Sequence, residues 1–560
     1  MWFISFAESN CKNCYACARV CTVKAITIKN EQAHINKDRC IMCGKCFKAC
    51  PQNLKSIKSE IEMVKYFIKN KKITVASIAP SFISISGQNS NKIVNALKKL
   101  GFTYVEEVST IIQDITKGSI DYINNHQQDT YITSFCPVNN ELIQKHYPNL
   151  VKYIIPIIAP SIYHSKSIKS RYNEDVKVVF IGPCVAKKSD SHDEESINCV
   201  ITFDELIKWF KEENIDLEKL ENSEFDNIDS NDRLFAVPGN IIEQIKNNTN
   251  KRVIEVNGDK GCIEVLNAIN KGKFKDYVIE MNYCELGCIG GSGMPDDICS
   301  YERKENIKNY VETIKTNKEI STNQNQISMK KEFISKYKPL KQPTKVEINK
   351  ILSQMGKHKK EDELNCGACG YKTCRDKAIA VYNNMAEVSM CMPYMREKAE
   401  NITNILFDRT PNMILLIDMN LEIQEINPAA QEFFKVDEKV KNVPVAILLD
   451  EDIFKNMRNN KSDIYKQTTI MNNEKSIVIQ SIIWLEKNSM FLWIGDDITE
   501  NEKKQERIRN KKIDAVNMAQ EVINKQMVVA QEIASLLGET TAQTKVTLTK
   551  LKKLINEENL

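Results

Sequence analysis

The residues able to do chemistry in this chain are its cysteines, and their spacing is that of metal ligands. There are 19 among 560 residues, and sixteen fall into ligand patterns of the kind that bind metal rather than pair as disulfides. Near the N-terminus Cys11, Cys14, Cys17 and Cys21 form C-x2-C-x2-C-x3-C, and after an 18-residue gap Cys40, Cys43, Cys46 and Cys50 repeat it, followed by Pro51. In a [4Fe–4S] cubane each iron takes one thiolate, so one loop supplies three ligands and the fourth comes from the other motif. This predicts one cluster on Cys11, Cys14, Cys17 and Cys50, and a second on Cys40, Cys43, Cys46 and Cys21. Two such clusters side by side conduct electrons.

Three further motifs are spread over the middle of the chain. They are Thr133-Ser134-Phe135-Cys136-Pro137, Gly182-Pro183-Cys184-Val185-Ala186-Lys187-Lys188, and the segment from Glu280 through Asn282, Tyr283, Cys284 and Cys288 to Gly291. Four thiolates converging from these loops would bind another cubane, with the glycines letting backbone approach a bulky inorganic group. Cys366, Cys369, Cys374 and Cys391, the last followed by Met392-Pro393, make the final set. The segment between, Arg375–Met390, reads as helical, so the fourth ligand is expected from a helix end. Zinc is the competing reading of such spacings. Cys199, Cys262 and Cys299 stand outside the patterns and read as small buried hydrophobes.

The elements that must position these residues follow from periodicity. Between Ile73 and Met294 short β-rich runs (Ile73–Ala79, Thr130–Ser134, Lys177–Ile181) alternate with helical patterns (Asn91–Leu100, Phe203–Lys211), which predicts α/β layers. A polar Lys/Asn/Gln-rich stretch over 315–345 reads as a linker. After Cys391 there is no cysteine, and residues 401–500 read as strand, turn, strand, helix and late paired strands: Met413–Asp418, Glu422–Asn427, Pro428–Phe434, Ser476–Leu485 and Met490–Ile494. From Glu500 the chain is helical, and Ile523, Met527, Ala530, Ala534, Leu537, Thr541, Thr544, Leu548, Leu551 and Ile555 keep the a/d spacing of a coiled coil.

Composition bounds the rest. The length calls for several domains. With 78 basic and 74 acidic residues the net charge is +4, which points to neither nucleic acid nor membrane as a partner. No apolar run approaches the ~20 residues of a membrane span. The stretch Met1–Asn10 has no basic n-region, so no signal peptide and a cytoplasmic protein are expected.

The first two motifs resemble those of two-cluster bacterial ferredoxins, with Thr22 where a proline is usual. The three middle motifs, in this order, resemble those of the [FeFe]-hydrogenases over residues 75–300. That resemblance implies a cubane on Cys136, Cys184, Cys284 and Cys288, with Cys288 bridging to a two-iron subsite that carries CO and cyanide. It also implies that Lys187 donates to one cyanide, that Ala79-Pro80-Ser81 contacts the other, and that Pro160 walls the pocket. The departures are Phe135, where catalytic relatives have a proton-passing cysteine, Gly182 and Asn282, where they have methionines. Phenylalanine has no titratable proton, so the relay is cut. The last cysteine set resembles the small four-cysteine iron–sulfur domain of electron-transfer and corrinoid proteins. Ile414–Asp418, Asn427–Ala430 and Asp497–Thr499 resemble a PAS domain, and the C-terminal helix resembles the signalling helices that follow one.

The fold class expected is therefore multidomain, α/β and α+β. The parts are a ferredoxin-like domain at 1–58, an H-cluster-type domain at 70–314, the linker at 315–345, a four-cysteine domain at 346–400, a PAS domain at 401–500 and a coiled-coil helix at 501–560. The cofactors expected are four [4Fe–4S] clusters and a two-iron subsite. The arrangement looks like the sensory branch of the hydrogenase family. That implies a redox or hydrogen sensor, a homodimer through the coiled coil, a regulatory partner (phosphatase or kinase) and a redox partner such as ferredoxin. A slow working hydrogenase and an electron-transfer protein without the two-iron subsite are the alternatives.

Overall fold

Apolar strands alternating with amphipathic helices in the middle of the chain build two parallel sheets. In the computed structural model one sheet has the order Tyr104–Glu107, Thr74–Ile78, Lys177–Gly182, Cys199–Thr202. The other has the order Arg252–Asn257, Tyr277–Asn282, Thr130–Ile132. Thr74–Ile78 is buried along its whole length, as a parallel strand covered on both faces must be. Every middle-domain motif follows a strand of these sheets: Pro80-Ser81 after Thr74–Ile78, Cys136 after Thr130–Ile132, Cys184 after Lys177–Gly182, and Cys284 after Tyr277–Asn282. Carboxyl ends of parallel strands are where open α/β sheets hold their ligands.

The structure describes residues 3–6, 11–53, 55–192, 195–227, 232–313, 327–460, 463–471, 475–486, 488–537 and 541–557. They form two compact units, Met1–Met395 and Arg396–Leu560. In the first unit, the N-terminal segment carries the short helices Ala16–Val20 and Lys45–Lys48, an antiparallel hairpin Ile26–Lys29/Gln32–Ile35, and the pair Ile4–Phe6/Lys55–Ile57. The expected linker corrects the sequence reading where it is described. Residues 327–344 are extended and bound along the middle domain: Ile158 N–H donates to Met329 O, Lys331 N–H to Pro156 O and Lys336 N–H to Gln144 O. The four-cysteine segment has helices Lys345–Gln354 and Cys374–Tyr382, each opened by a capping box, Thr344/Glu347 and Thr373/Asp376. The second of these is shorter than the expected Arg375–Met390. Asn384 takes a left-handed φ of 54° and Met385 N–H returns to Ala380 O, a C-terminal stop. Cys391 therefore follows a separate turn and stands at the start of helix Met392–Arg409.

The second unit is an antiparallel sheet in the order Ile423–Ile426, Met413–Ile417, Met490–Asp497, Ser476–Leu485, Ile464–Met471. Asn427 organises its entry. The side-chain oxygen accepts from Ala430 N–H at 3.0 Å and Ile414 N–H at 2.8 Å, and the amide donates to Phe407 O and Asn412 O. Phe454, Phe491 and Trp493 fill the core, and the buried indole N–H reaches Gln480 Oε1 at 2.9 Å. Helical stretches Thr499–Leu537 and Thr541–Glu557 follow; the residues between them lie outside the described ones. Ile523, Met527 and Ala530 are partly covered on an otherwise exposed face, whereas Leu551 and Ile555 are exposed. The seam side chains of Ala534, Leu537, Thr541 and Thr544 lie outside the described residues.

Behind the first parallel sheet lies a buried polar cluster. Glu106 and His164 are fully buried, with Glu106 Oε2 3.3 Å from His164 Nε2 and 2.5 Å from Arg171 Nη2, while Ser77 Oγ lies 2.8 Å from His164 Nδ1. Burial alone would raise the Glu106 carboxyl. The hydrogen bond and charge of His164, with Arg171, outweigh it and hold the group down at about 2. A carboxyl depressed from the ordinary 4.5 stabilises the fold above that pH, and the contribution is lost as pH falls toward 2. Glu106→Ala leaves the buried partners uncompensated and is expected to destabilise the middle domain by about 3 kcal/mol, read as a lowered denaturant midpoint.

Candidate metal centres

The carboxyl ends of strands from both sheets surround one cavity of about 100 Å³. Cys136, Cys184, Cys284 and Cys288 all line it, as do Pro80, Ser81, Phe135, Pro160, Ser161, Lys187, Glu280 and Asn282. The four thiols are mutually close. Burial first, then the neighbouring Cys136, pushes Cys184 up to about 11 and, with Cys184 also acting, Cys288 up to about 12. Cys284 rises well above the ordinary range for the same reasons. Lys187 works the other way on Cys184 and Cys288, which places its ammonium beside them. Its neighbour Lys188 is fully buried and turned into the sheet edge, donating to Val200 O at 2.7 Å and lying 3.1 Å from Glu205. That anchor leaves Lys187 as the lysine on the cavity wall.

The cavity fits an anionic cluster with small polar ligands. The Ser81 hydroxyl is buried without a hydrogen-bond partner, and so is that of Ser161, which the sequence reading passed over. Phe135 lies against Phe235, ring centroids 6.2 Å apart, so aromatic carbon forms this part of the cavity wall. Burial raises the Glu280 carboxyl, and Asn282 Nδ2 donates to it at 3.2 Å. A Cβ on Gly290 would collide with Glu285 O of its own loop, and one on Gly291, which lines the cavity, with Pro183 O of the Cys184 loop.

In the N-terminal segment, Cys40 is raised to about 11 by burial, with Cys21 adding to it, and Cys43 is raised further by burial and then by Cys21, Cys46 and Cys40. Cys21 packs with Cys40 and Cys43 in one cluster and with Cys11, Cys17 and Cys46 in another. Lys12 N–H donates to Gln52 Oε1 at 3.3 Å, which brings the Cys11 loop to the end of that motif. The segment abuts the cavity: Lys145 Nζ donates to Cys40 O, Lys45 pairs with Asp259 at 2.6 Å, and Thr22 Oγ1 meets the buried Tyr283 hydroxyl at 2.5 Å. Thr22 thus has a partner next to Cys284, a contact no spacing rule could reveal.

Cys366, Cys369, Cys374 and Cys391 line a pocket of their own with Lys377. Lys377 is buried, donates to Val388 O at 3.3 Å, and is lowered by that burial to about 8 against the opposing pull of Cys369, Cys391 and Cys374. Of the three remaining cysteines, Cys199 and Cys262 are buried as expected, but Cys299 is exposed, at the start of a surface helix whose Glu302 N–H reaches its sulfur. Among the described residues no three His, Cys, Asp or Glu side chains meet around the place of a single ion. A cubane makes a different demand, one thiolate for each of four irons.

The comparisons with known proteins agree with this division. Residues 72–292 match the family described as iron only hydrogenase large subunit, C-terminal domain. Residues 10–54 match the 4Fe-4S dicluster domain, and 362–393 the putative Fe-S cluster family. The chain is a hydrogenase-like iron–sulfur protein with ferredoxin-like domains, and 4Fe–4S clusters are among its cofactors. Iron hydrogenase 1 of Clostridium pasteurianum is 25% identical over 376 residues, covering 48% of this chain and 65% of that protein. The NADP-reducing hydrogenase subunit HndD of Solidesulfovibrio fructosivorans is 26% identical, covering 46% and 56%. The chain thus spans less than two thirds of each. A solved [FeFe]-hydrogenase HydA1 from Chlamydomonas reinhardtii is 18% identical, with a TM-score of 0.38 over 45% of this chain and 88% of that one. A PAS domain of an HTR-like protein from Haloarcula marismortui scores 0.16 over 18% of this chain and 99% of its own length, at 20% identity. Such low scores carry no part of the argument. No helix among the described residues is long and apolar enough to cross a membrane.

Two outcomes are expected. Cys284→Ala removes about four irons while the ferredoxin-type paramagnetic signals persist, measured by iron and sulfide content with electron paramagnetic resonance. Lys377→Met, which deletes the buried cation among four thiolates, shifts the four-cysteine centre to a more negative midpoint potential with iron content unchanged.

Proposed function

We propose that the protein is a redox or hydrogen sensor rather than an efficient hydrogenase. The observation that carries this reading is the composition of the cavity: four thiols, Lys187 and Ser81 as in a hydrogenase-type site, with Phe135 packed on Phe235 where a proton would have to pass. Cys136, Cys184, Cys284 and Cys288 would hold a cubane, Cys288 bridging to a two-iron subsite, and Lys187 and Ser81 would donate to its cyanides. Such a subsite supplies binding of hydrogen or carbon monoxide, and the cubanes supply one-electron storage. Cys11, Cys14, Cys17 and Cys50, then Cys40, Cys43, Cys46 and Cys21, then Cys366, Cys369, Cys374 and Cys391 would hold three more, four cubanes in all.

In this reading the domain bounds are those drawn from the sequence, and residues 401–500 are a PAS domain, which the antiparallel sheet and the Asn427 entry support. Output would pass through helices Thr499–Leu537 and Thr541–Glu557, as a homodimer, to a partner such as a phosphatase or kinase. A ferredoxin-like donor in the cytoplasm would serve as redox partner.

The test is infrared spectroscopy of protein matured with hydrogenase maturation factors. Bands of iron-bound CO and cyanide are expected; their absence with cubanes intact would reduce the cavity to a cubane site on a hydrogenase-type scaffold. Phe135→Cys in the loaded protein is expected to raise hydrogen evolution from reduced viologen at least tenfold. An equally inert variant would show that the missing thiol is not what limits the reaction.

A further inference from the structure

The four-cysteine segment is packed face to face on the N-terminal segment. Gly370, at φ +88°, lies so close to the first N-terminal helix that a Cβ there would stand 3.0 Å from Ala18 C and 3.1 Å from Ala18 O. Arg19 Nη1 donates both to Cys14 O at 2.9 Å, beside one set of thiols, and to Ala368 O at 3.2 Å, beside the other. Asn30 N–H donates to Glu387 Oε1 at 2.6 Å, and Ile28 N–H to Met385 O at 3.3 Å. Ala18, Ile26 and Ile28 share one apolar cluster with Tyr371, Met385 and Met390. Tyr371 is buried in that face, and Cys21 and Cys369 both pack against the same cluster.

We propose that this face positions the four-cysteine centre as the direct one-electron partner of the centre on Cys21, Cys40, Cys43 and Cys46, making the latter the junction of the first unit. The turn at Cys21-Thr22 carries the argument. Cys21 packs in one cluster with Tyr371 and Cys369 on one side. Thr22 bonds Tyr283, the residue before Cys284, on the other. Cys43 packs in the same cluster as the buried Tyr283. The line ends at Cys391, which immediately precedes helix Met392–Arg409. Arg19, Tyr371 and Glu387 are thus positioning residues for transfer between centres. The step moves one electron: a [4Fe–4S]1+ centre becomes 2+ as its partner goes from 2+ to 1+, with no bond made and no proton moved, the electron supplied by a low-potential one-electron reductant. The proposal rests on these cysteines holding cubanes, and it stands whether or not a two-iron subsite or a sensing role exists.

Electron paramagnetic resonance of the full-length, cluster-loaded protein reduced with dithionite tests it. A magnetic interaction is expected between the four-cysteine centre and a ferredoxin-type centre, absent from Cys374→Ala, which lacks the former. Identical ferredoxin-type line shapes in wild type and Cys374→Ala would overturn the proposal. The doubly substituted Arg19→Ala/Glu387→Ala protein, with iron content unchanged, is expected to weaken the interaction and to shift the four-cysteine midpoint potential. Full retention of both would show that this face does not set the pairing. In Cys14→Ala, which lacks the first N-terminal centre, the interaction is expected to persist; its loss there would assign the partner to that centre and overturn the junction.

Discussion

Thiols gathered around one enclosed cavity resist ionisation. In the central cavity, burial and neighbouring sulfur push Cys184, Cys284 and Cys288 well above the ordinary thiol range, and only bound cations reverse that sign, since metal binding and thiol deprotonation are one linked process. The protein fold must therefore hold the ligands together against their own electrostatics. It does so by anchoring each ligand loop at the carboxyl end of a buried parallel strand and by glycines that let loop backbones touch, as Gly291 does at Pro183.

Around that constraint the rest of the first unit is arranged. Lys188 is spent on the sheet edge so that Lys187 faces sulfur. Two serine hydroxyls are left unpaired on the cavity wall, a cost of burial that a polar ligand offsets. The N-terminal segment is pinned through Lys45, Lys145 and Thr22, and the four-cysteine segment is closed over it by backbone contact at Gly370. The polar stretch at 327–344, which composition marks as a tether, is instead a strap hydrogen-bonded along the middle domain.

The second unit obeys a different rule. Its core is aromatic and aliphatic, closed by Trp493 on Gln480, and one asparagine, Asn427, satisfies four backbone groups where strand turns into helix. That residue explains why the Asn-Pro-Ala-Ala segment stands where it does: a side chain with two donors and an acceptor is the shortest group able to tie the preceding helix, the first strand and the new helix at one point.

The sequence by itself determined which cysteines are candidate ligands, because iron–sulfur chemistry calls for thiolates and their motifs are local in the chain. It also determined the strand and helix alternation, because burial on a sheet or helix leaves a period in the residues, and the absence of a titratable proton on Phe135, which is a matter of residue type. Only the tertiary structure decided that Arg375–Met390 is broken at Asn384, where a left-handed residue ends the helix before Cys391. It alone showed Ser161 unpaired, Lys377 buried among sulfurs, Cys299 exposed, and Thr22 bonded to Tyr283 across 261 positions of chain. Those are relations between residues far apart in the chain, set by how sheets and loops pack, and pairwise packing leaves no periodic trace in the order of the residues.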